Sequence, residues 1–213
     1  MFFYSCTLLS CGMFFPSGHI KIYKIGYFNK PKKPYDGSIK KGKYDTMRTN
    51  HVKKTVQAAM LAALVFAATY AVKIPSPTNG YVNLGDCFVL ASGWLLGPWY
   101  GAAAAGIGSA LTDLLAGYPY YVPGTLVIKA ADAFVAAVIY RSMKKSFKGI
   151  LAGGIAGELV MVAGYFGFSS LILGKGLSAA LSISGNLVQG AVGITLGILI
   201  MQVAKRTNLT ERL

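Results

Sequence analysis

Residues Tyr118–Arg141 read YPYYVPGTLVIKAADAFVAAVIYR, and the reading of this stretch decides the fold. An aromatic turn punctuated by Pro119 and Pro123 leads into an apolar run that ends at Arg141. The run from Thr125 to Tyr140 predicts a membrane helix, and its only ionisable side chains apart from the terminal Tyr140 are Lys129 and Asp132. Ionisable groups inside a membrane helix are costly, so they mark a buried pair or a functional site. Lys129 and Asp132 stand three residues apart on one helix face, where they either neutralise each other or serve a ligand.

The chain outside this stretch has the same character. Of its 213 residues 54% are hydrophobic and only 13% charged. Leu, Ala, Val, Ile and Gly dominate from Lys54 onward, in runs long enough to cross a bilayer. The sequence therefore predicts an all-α polytopic membrane protein, a bundle of six transmembrane helices. The expected spans are 54–73, 84–99, 102–117, 125–140, 149–173 and 177–204. An even count puts both termini on one side. Arg48, Lys53 and Lys54, the run 141–148, and Lys205 with Arg206 all fall on that side, whereas the other carries only Lys73 and Lys175. By the positive-inside rule both termini are cytoplasmic, in a multi-pass protein of the bacterial plasma membrane. The expected outer loops are 74–84, 118–124 and 174–177.

Residues 1–46 differ from the remainder. MFFYSCTLLSCGMFF resembles the start of a signal peptide but lacks a basic leader, and the Lys-rich, Tyr-rich stretch after it has many breakers and no helical period. This segment is expected to be a disordered or mis-assigned extension, with translation starting at Met47 and the membrane domain occupying 47–213. Otherwise it is a true cytoplasmic tail that meets lipid through its lysines.

A net charge of +14 would suggest nucleic acid in a soluble protein. Here the basic residues lie in the tail and in short segments between apolar runs, so they report topology, and no nucleic-acid partner is expected. Cys6, Cys11 and Cys87 form no CxxC, and His19 and His51 both precede the first span, so neither a metal nor another cofactor is expected. No nucleophile–base pair and no GxxxxGK[ST] occurs, so the chain reads as neither an enzyme nor an ATPase.

Small residues recur at helical spacing. Ala59, Ala63, Ala67 and Ala71 form one ridge, Ala102, Gly106 and Ala110 a second, and Gly149, Gly153 and Gly157 a third. Such ridges let another helix approach closely, within the bundle or in a partner protein. Polar groups gather toward the outer half: Tyr81, Asn83, Asp86, Asp113, Tyr118, Tyr121, Lys129, Asn186 and Gln189. Asp113 is either a solvated helix-end acid or a pocket residue. Asn186 and Gln189 serve interhelical bonding or a ligand. Glu158 lies near mid-depth with Tyr165 two turns on. A lone buried glutamate is protonated, paired (Lys129 is one candidate) or bonded to a ligand. The inner half is apolar and glycine-rich, so the pattern is a pocket open outside and closed below.

AAMLAALVFAATY in the first span, NLGD at the entry to the second, the block LLGPWYGAAAAGIGSALTDLLAGYPYYVPGTLVIKA and the ending KAADAFVAAVIYR carry a family resemblance. Over Met47–Lys205 the chain resembles the substrate-binding S component of an energy-coupling factor (ECF) vitamin transporter. It is most similar to the group named after riboflavin, which also takes in hydroxymethylpyrimidine and pyridoxine carriers. The resemblance implies capture of a vitamin from outside under the first outer loop. A membrane coupling protein (the T component) and two ATPase subunits would supply the energy. It also implies that Ala59, Ala63 and Ala67 contact the coupling protein. Tyr81, Tyr118, Tyr121 and Tyr165 are available to stack on a flat heteroaromatic ring. Asp132 or Glu158 suits an aminopyrimidine edge or a hydroxymethyl group, and Lys129 a carbonyl or anion. The competing expectation is a stand-alone, proton-coupled secondary transporter using Glu158 or Asp132.

Overall fold

A computed structural model of the chain describes residues 37–76 and 80–207, with side chains described for residues 49, 51–72 and 83–207. The expectations for residues 1–36, and the side chain of Tyr81, lie outside the described residues. Six α-helices lie among the described residues: α1 (Gly37–Ala71), α2 (Asp86–Leu96), α3 (Pro98–Leu115), α4 (Val122–Ser142), α5 (Phe147–Gly167) and α6 (Leu181–Arg206). Residues 37–46, expected to lack helical structure, are instead the first turns of α1. A π-helical turn at Phe168–Ile172 and a 3-10 turn at Gly176–Ala180 join α5 to α6.

The Pro-rich connection after α1, expected as a loop, is a short antiparallel hairpin of β1 (Lys73–Ser76) and β2 (Gly80–Asn83). Pro75 lacks a backbone donor, which a strand in a two-stranded ribbon tolerates because one side of it has no neighbour. The all-α reading holds for everything else described.

The ends of the bundle are fixed by a few polar contacts. His51 bonds the Tyr100 hydroxyl at 3.1 Å, and an Arg141 nitrogen donates to the Leu96 carbonyl at 3.4 Å. These tie the start of the apolar part of α1, the α2–α3 corner and the end of α4 together at one end. Lys53, Lys54, Arg141, Lys144, Lys145, Lys148, Lys205 and Arg206 are exposed there. The opposite end carries the hairpin, the 116–121 turn and the 173–176 turn, the last two joined by Lys175 donating to the Tyr121 hydroxyl at 2.7 Å.

The apolar part of α1 from His51, α4, α5 with its π turn, and α6 with its 3-10 lead are long and apolar enough to cross a membrane. The second expected span, 84–99, differs. Its helix α2 has only 11 residues, about 16 Å at 1.5 Å per residue, against a hydrocarbon core of about 30 Å. α2 is nevertheless apolar because protein surrounds it: nine of those residues are buried, against α1, α3, α4 and α6. Asn83, just ahead of α2, bonds Gln189, which lies nine residues into α6. The top of α2 is thus recessed about 12 Å below the hairpin end of α6.

Small residues set the helix spacing, as their ridges predict. On α5, Gly149 faces Tyr140, Gly153 faces Ala136 and Gly157 faces Asp132, the register of two antiparallel helices in close contact. A Cβ on Gly153 would stand 2.6 Å from the Ala136 carbonyl oxygen. That atom is backbone and cannot move aside, so Gly153→Val is expected to cost about 2 kcal/mol or more through overpacking. Thermal unfolding in detergent checks this, with Gly167→Ala as the comparison, since a Cβ there meets nothing within 4 Å. The ridge on α3 acts similarly, Gly106 lying against the Leu126 backbone of α4. The ridge on α1 does not: Ala59, Ala63, Ala67 and Ala71 are all exposed, and the bundle is met by Val65 and Thr69 on the other face.

The apolar floor lies toward the basic end. Leu90, Trp94, Ala136, Tyr140, Ile150 and Met201 pack as one cluster beneath the recessed start of α2.

Candidate functional site

Above this floor, five helices and β2 contribute polar side chains to one buried layer. Asp86 is the first residue of α2, where the helix dipole favours a negative charge. Lys129, one turn beyond the first turns of α4, donates to Asp86 Oδ1 in a salt bridge whose partners are 3% and 1% exposed. Gln189 of α6 donates from Nε2 to Asp86 Oδ2 at 2.7 Å and accepts at Oε1 from the Asn83 backbone N–H at 2.9 Å. The Asn83 side chain accepts from the Gly85 N–H at 2.8 Å, which fixes the entry into α2. Each partner in this chain satisfies the next, as buried polar groups require.

A second chain lies nearer the hairpin end. The Tyr165 hydroxyl donates to Thr125 Oγ1 at 3.1 Å, and the Thr125 hydroxyl donates to Asp113 Oδ2. The Tyr165 ring also carries Lys129 Nζ 5.7 Å from its centroid, a cation–π contact that links the two chains. Above them Tyr118, Tyr121 and Phe168 form an aromatic rim, with centroids 6.5 Å apart for the first pair and 6.1 Å for the second. Lys175 sits 5.2 Å over the Tyr121 ring.

The structure therefore brings together Asn83, Asp86, Asp113, Tyr118, Tyr121, Lys129 and Tyr165 from those expected in the site. Asp113 is buried and bonded, not a solvated helix-end acid. The pairing of Lys129 with Asp132 is corrected: the lysine turns to Asp86 on a neighbouring helix. Asp132 lies against α5, where a Cβ on Gly157 would stand 2.5 Å from its Oδ1. Glu158 is likewise not held by Lys129. Asp132 is 0% exposed and Glu158 4%, and no N–H or O–H donor among the described residues reaches any of their four oxygens. Glu158 and the half-buried Asn186 both line a cleft of about 190 Å³ between α5 and α6, which opens outward among the exposed Ile155, Leu159 and Leu187. Among the described residues no three His, Cys, Asp or Glu side chains are grouped to hold a metal ion.

Two participants were not assigned to the site from sequence. Gln189 was known as an intramembrane amide, and its bond to Asp86 makes it the residue that orients the site's carboxylate. Thr125 carried a usable signal, because 125, 129 and 132 are spaced i, i+4, i+7 and share one stripe of α4. Thr125→Val keeps the shape and removes the hydroxyl that Asp113 and Tyr165 both use. It is expected to lower stability by about 1–2 kcal/mol, read as an earlier melting transition, while Thr125→Ser remains close to wild type.

Comparison with known proteins places this geometry. The sequence model of the family described as "ECF-type riboflavin transporter, S component" matches residues 49–206. An uncharacterized protein of Pyrococcus woesei is 35% identical over 134 residues, 62% of this chain and 88% of that one. The thiamine precursor transporter HmpT of Lactococcus lactis subsp. cremoris is 28% identical over 165 residues, 76% of this chain and 94% of that one. Among solved structures, the S component of a bacterial ECF transporter superposes with a TM-score of 0.62 at 23% identity, covering 74% of this chain and 98% of that one, and so shares the fold.

Proposed function

Since the chain belongs to the ECF-type riboflavin transporter S component family, and is thereby the substrate-binding membrane subunit of an ECF importer rather than an enzyme, we propose that its substrate is a small vitamin or vitamin precursor of the hydroxymethylpyrimidine or pyridoxine kind. The stand-alone secondary transporter is set aside on the same ground, because an S component captures and does not drive.

The observation that carries the proposal is the buried polar layer of Asp86, Lys129, Gln189, Asp113, Thr125 and Tyr165, recessed beneath an aromatic rim and closed by an apolar floor. Such an arrangement offers donors and acceptors beneath the rim, and the floor blocks passage below them, which suits capture. A relative named for a thiamine precursor supports the choice of one small ring over a flavin. The hairpin end faces outside and the basic end the cytoplasm, in keeping with the segregation of Lys and Arg. The exposed alanine ridge of α1 is the contact for a membrane coupling protein, which with two ATPases completes the importer.

Native mass spectrometry of the detergent-purified protein tests the reading. A co-purified mass of a pyrimidine or pyridine vitamin supports it. An empty protein whose melting temperature is unmoved by hydroxymethylpyrimidine, pyridoxine and riboflavin overturns it.

A further inference from the structure

We propose that Glu158, seated between α5 and α6, is the specificity-determining acceptor of this protein, selecting heteroaromatic substrates that present an amino group and rejecting their oxo and phosphorylated counterparts. The inference rests on the reading of the chain as a vitamin-capturing subunit and adds the residue and the ligand group it recognises.

Three observations point to Glu158. It is 4% exposed, and no N–H or O–H donor among the described residues reaches either carboxylate oxygen, the Asp86 carboxylate being its hydrogen-bonding neighbour. A buried carboxylate in that state either takes up a proton or is held ionised by a donating ligand. Second, the surrounding charge is unbalanced. Asp86, Asp132 and Glu158 are three buried acids around one buried ammonium, and Lys129 is already bonded to Asp86. The site therefore favours a donor or a cation and disfavours a phosphate. Third, space is kept for the carboxylate and for something beside it. Cβ atoms on Gly190 and Gly193 would stand 3.0 Å and 3.1 Å from its two oxygens, so it lies flush on the bare backbone of α6. It also borders the cleft, and Asn186 lines the same cleft from α6.

The two side chains complement one molecular edge. A carboxylate accepts from an exocyclic amino group, and an Asn amide donates to the neighbouring ring nitrogen or hydroxyl. An oxo group in place of the amino group sets acceptor against acceptor. A site built to bond a particular donor discriminates strongly against an analogue lacking it, because its own buried group is then left without a partner.

Isothermal titration of the full chain in lipid nanodiscs tests this with four probes: 4-amino-5-hydroxymethyl-2-methylpyrimidine, its 4-oxo analogue, its monophosphate, and riboflavin. Wild type is expected to bind the amino compound about 100-fold or more tighter than the oxo analogue or the phosphate. Glu158→Gln presents an amide that donates as well as accepts, so the amino–oxo preference is expected to shrink to about threefold or to invert. Gly190→Ala keeps the charge but crowds the carboxylate, and should weaken the amino compound selectively. Equal wild-type binding of the amino and oxo compounds overturns the proposal, as does full discrimination retained by Glu158→Gln. If Glu158→Gln does not fold, the wild-type ligand pair and Gly190→Ala decide. Tight riboflavin binding without pyrimidine binding sinks this proposal while the capture reading stands. Binding of none of the four, with pyridoxine also inert, sinks both.

Discussion

Lys129→Met is expected to destabilise the protein by about 3–5 kcal/mol and to abolish vitamin binding. The ammonium and its partner Asp86 are almost wholly buried, and when the lysine is lost the carboxylate keeps the Gln189 amide as its donor among the described side chains. Truncating one member of such a pair strands the other charge, which costs more than the pair contributed. The change also removes the charge over the Tyr165 ring, so the cation–π link between the two polar chains goes with it. A double variant, Lys129→Met with Asp86→Asn, separates the two consequences. It removes the stranded charge and is expected to recover much of the melting temperature, yet binding stays lost because the donor at the centre of the layer is absent. Melting curves in detergent together with titration read both quantities. A Lys129→Met protein as stable as wild type would show that the pair does not organise the site.

Ala63→Trp is expected to leave vitamin capture within about twofold of wild type and to reduce uptake by the assembled importer about 100-fold. Ala63 is exposed at the middle of the α1 ridge, with Ala59 and Ala67 one turn to either side. Small side chains in that pattern allow a second helix to come close in a membrane, where there is no hydrophobic driving force and association depends on tight packing. An indole there holds the partner away, whereas the binding layer is built by other helices and by β2. Uptake in cells carrying the coupling protein and ATPases, alongside co-purification of the complex, is the measurement. Normal uptake by Ala63→Trp would remove the ridge from the docking surface.

Much of the fold was legible because the apolar runs are long and their punctuation strong. Gly97-Pro98 ends one helix and starts the next, and the glycine spacing on α5 announced a close helix contact, which α4 makes. The length of α2 was not legible in the same way. A helix wrapped by protein and a helix wrapped by lipid have the same composition, so hydropathy did not reveal that α2 stops short. The site was legible as a set of residue types but not as a set of pairs. Lys129 and Asp132 share a helix face by spacing, and nothing local reveals that Asp86, 43 positions away, competes successfully for the ammonium. That outcome depends on where the recessed start of α2 lies against α4, a tertiary fact. It leaves Asp132 and Glu158 without a donor among the described residues, which is why Glu158 enters the proposal.

The recess of α2 separates two dimensions that are locked together in an ordinary helical bundle. The long helices must match the bilayer, so their lengths are dictated by lipid. α2 touches protein on its sides and is exempt from that match. A helical turn added at or removed from its start would raise or lower Asp86 by about 5.4 Å on nearly the same face without altering how the protein sits in its membrane. Scaffolds of this type can therefore be refitted to ligands of different size by trimming one interior column, with the lipid-facing exterior and the partner-facing ridge left as they were.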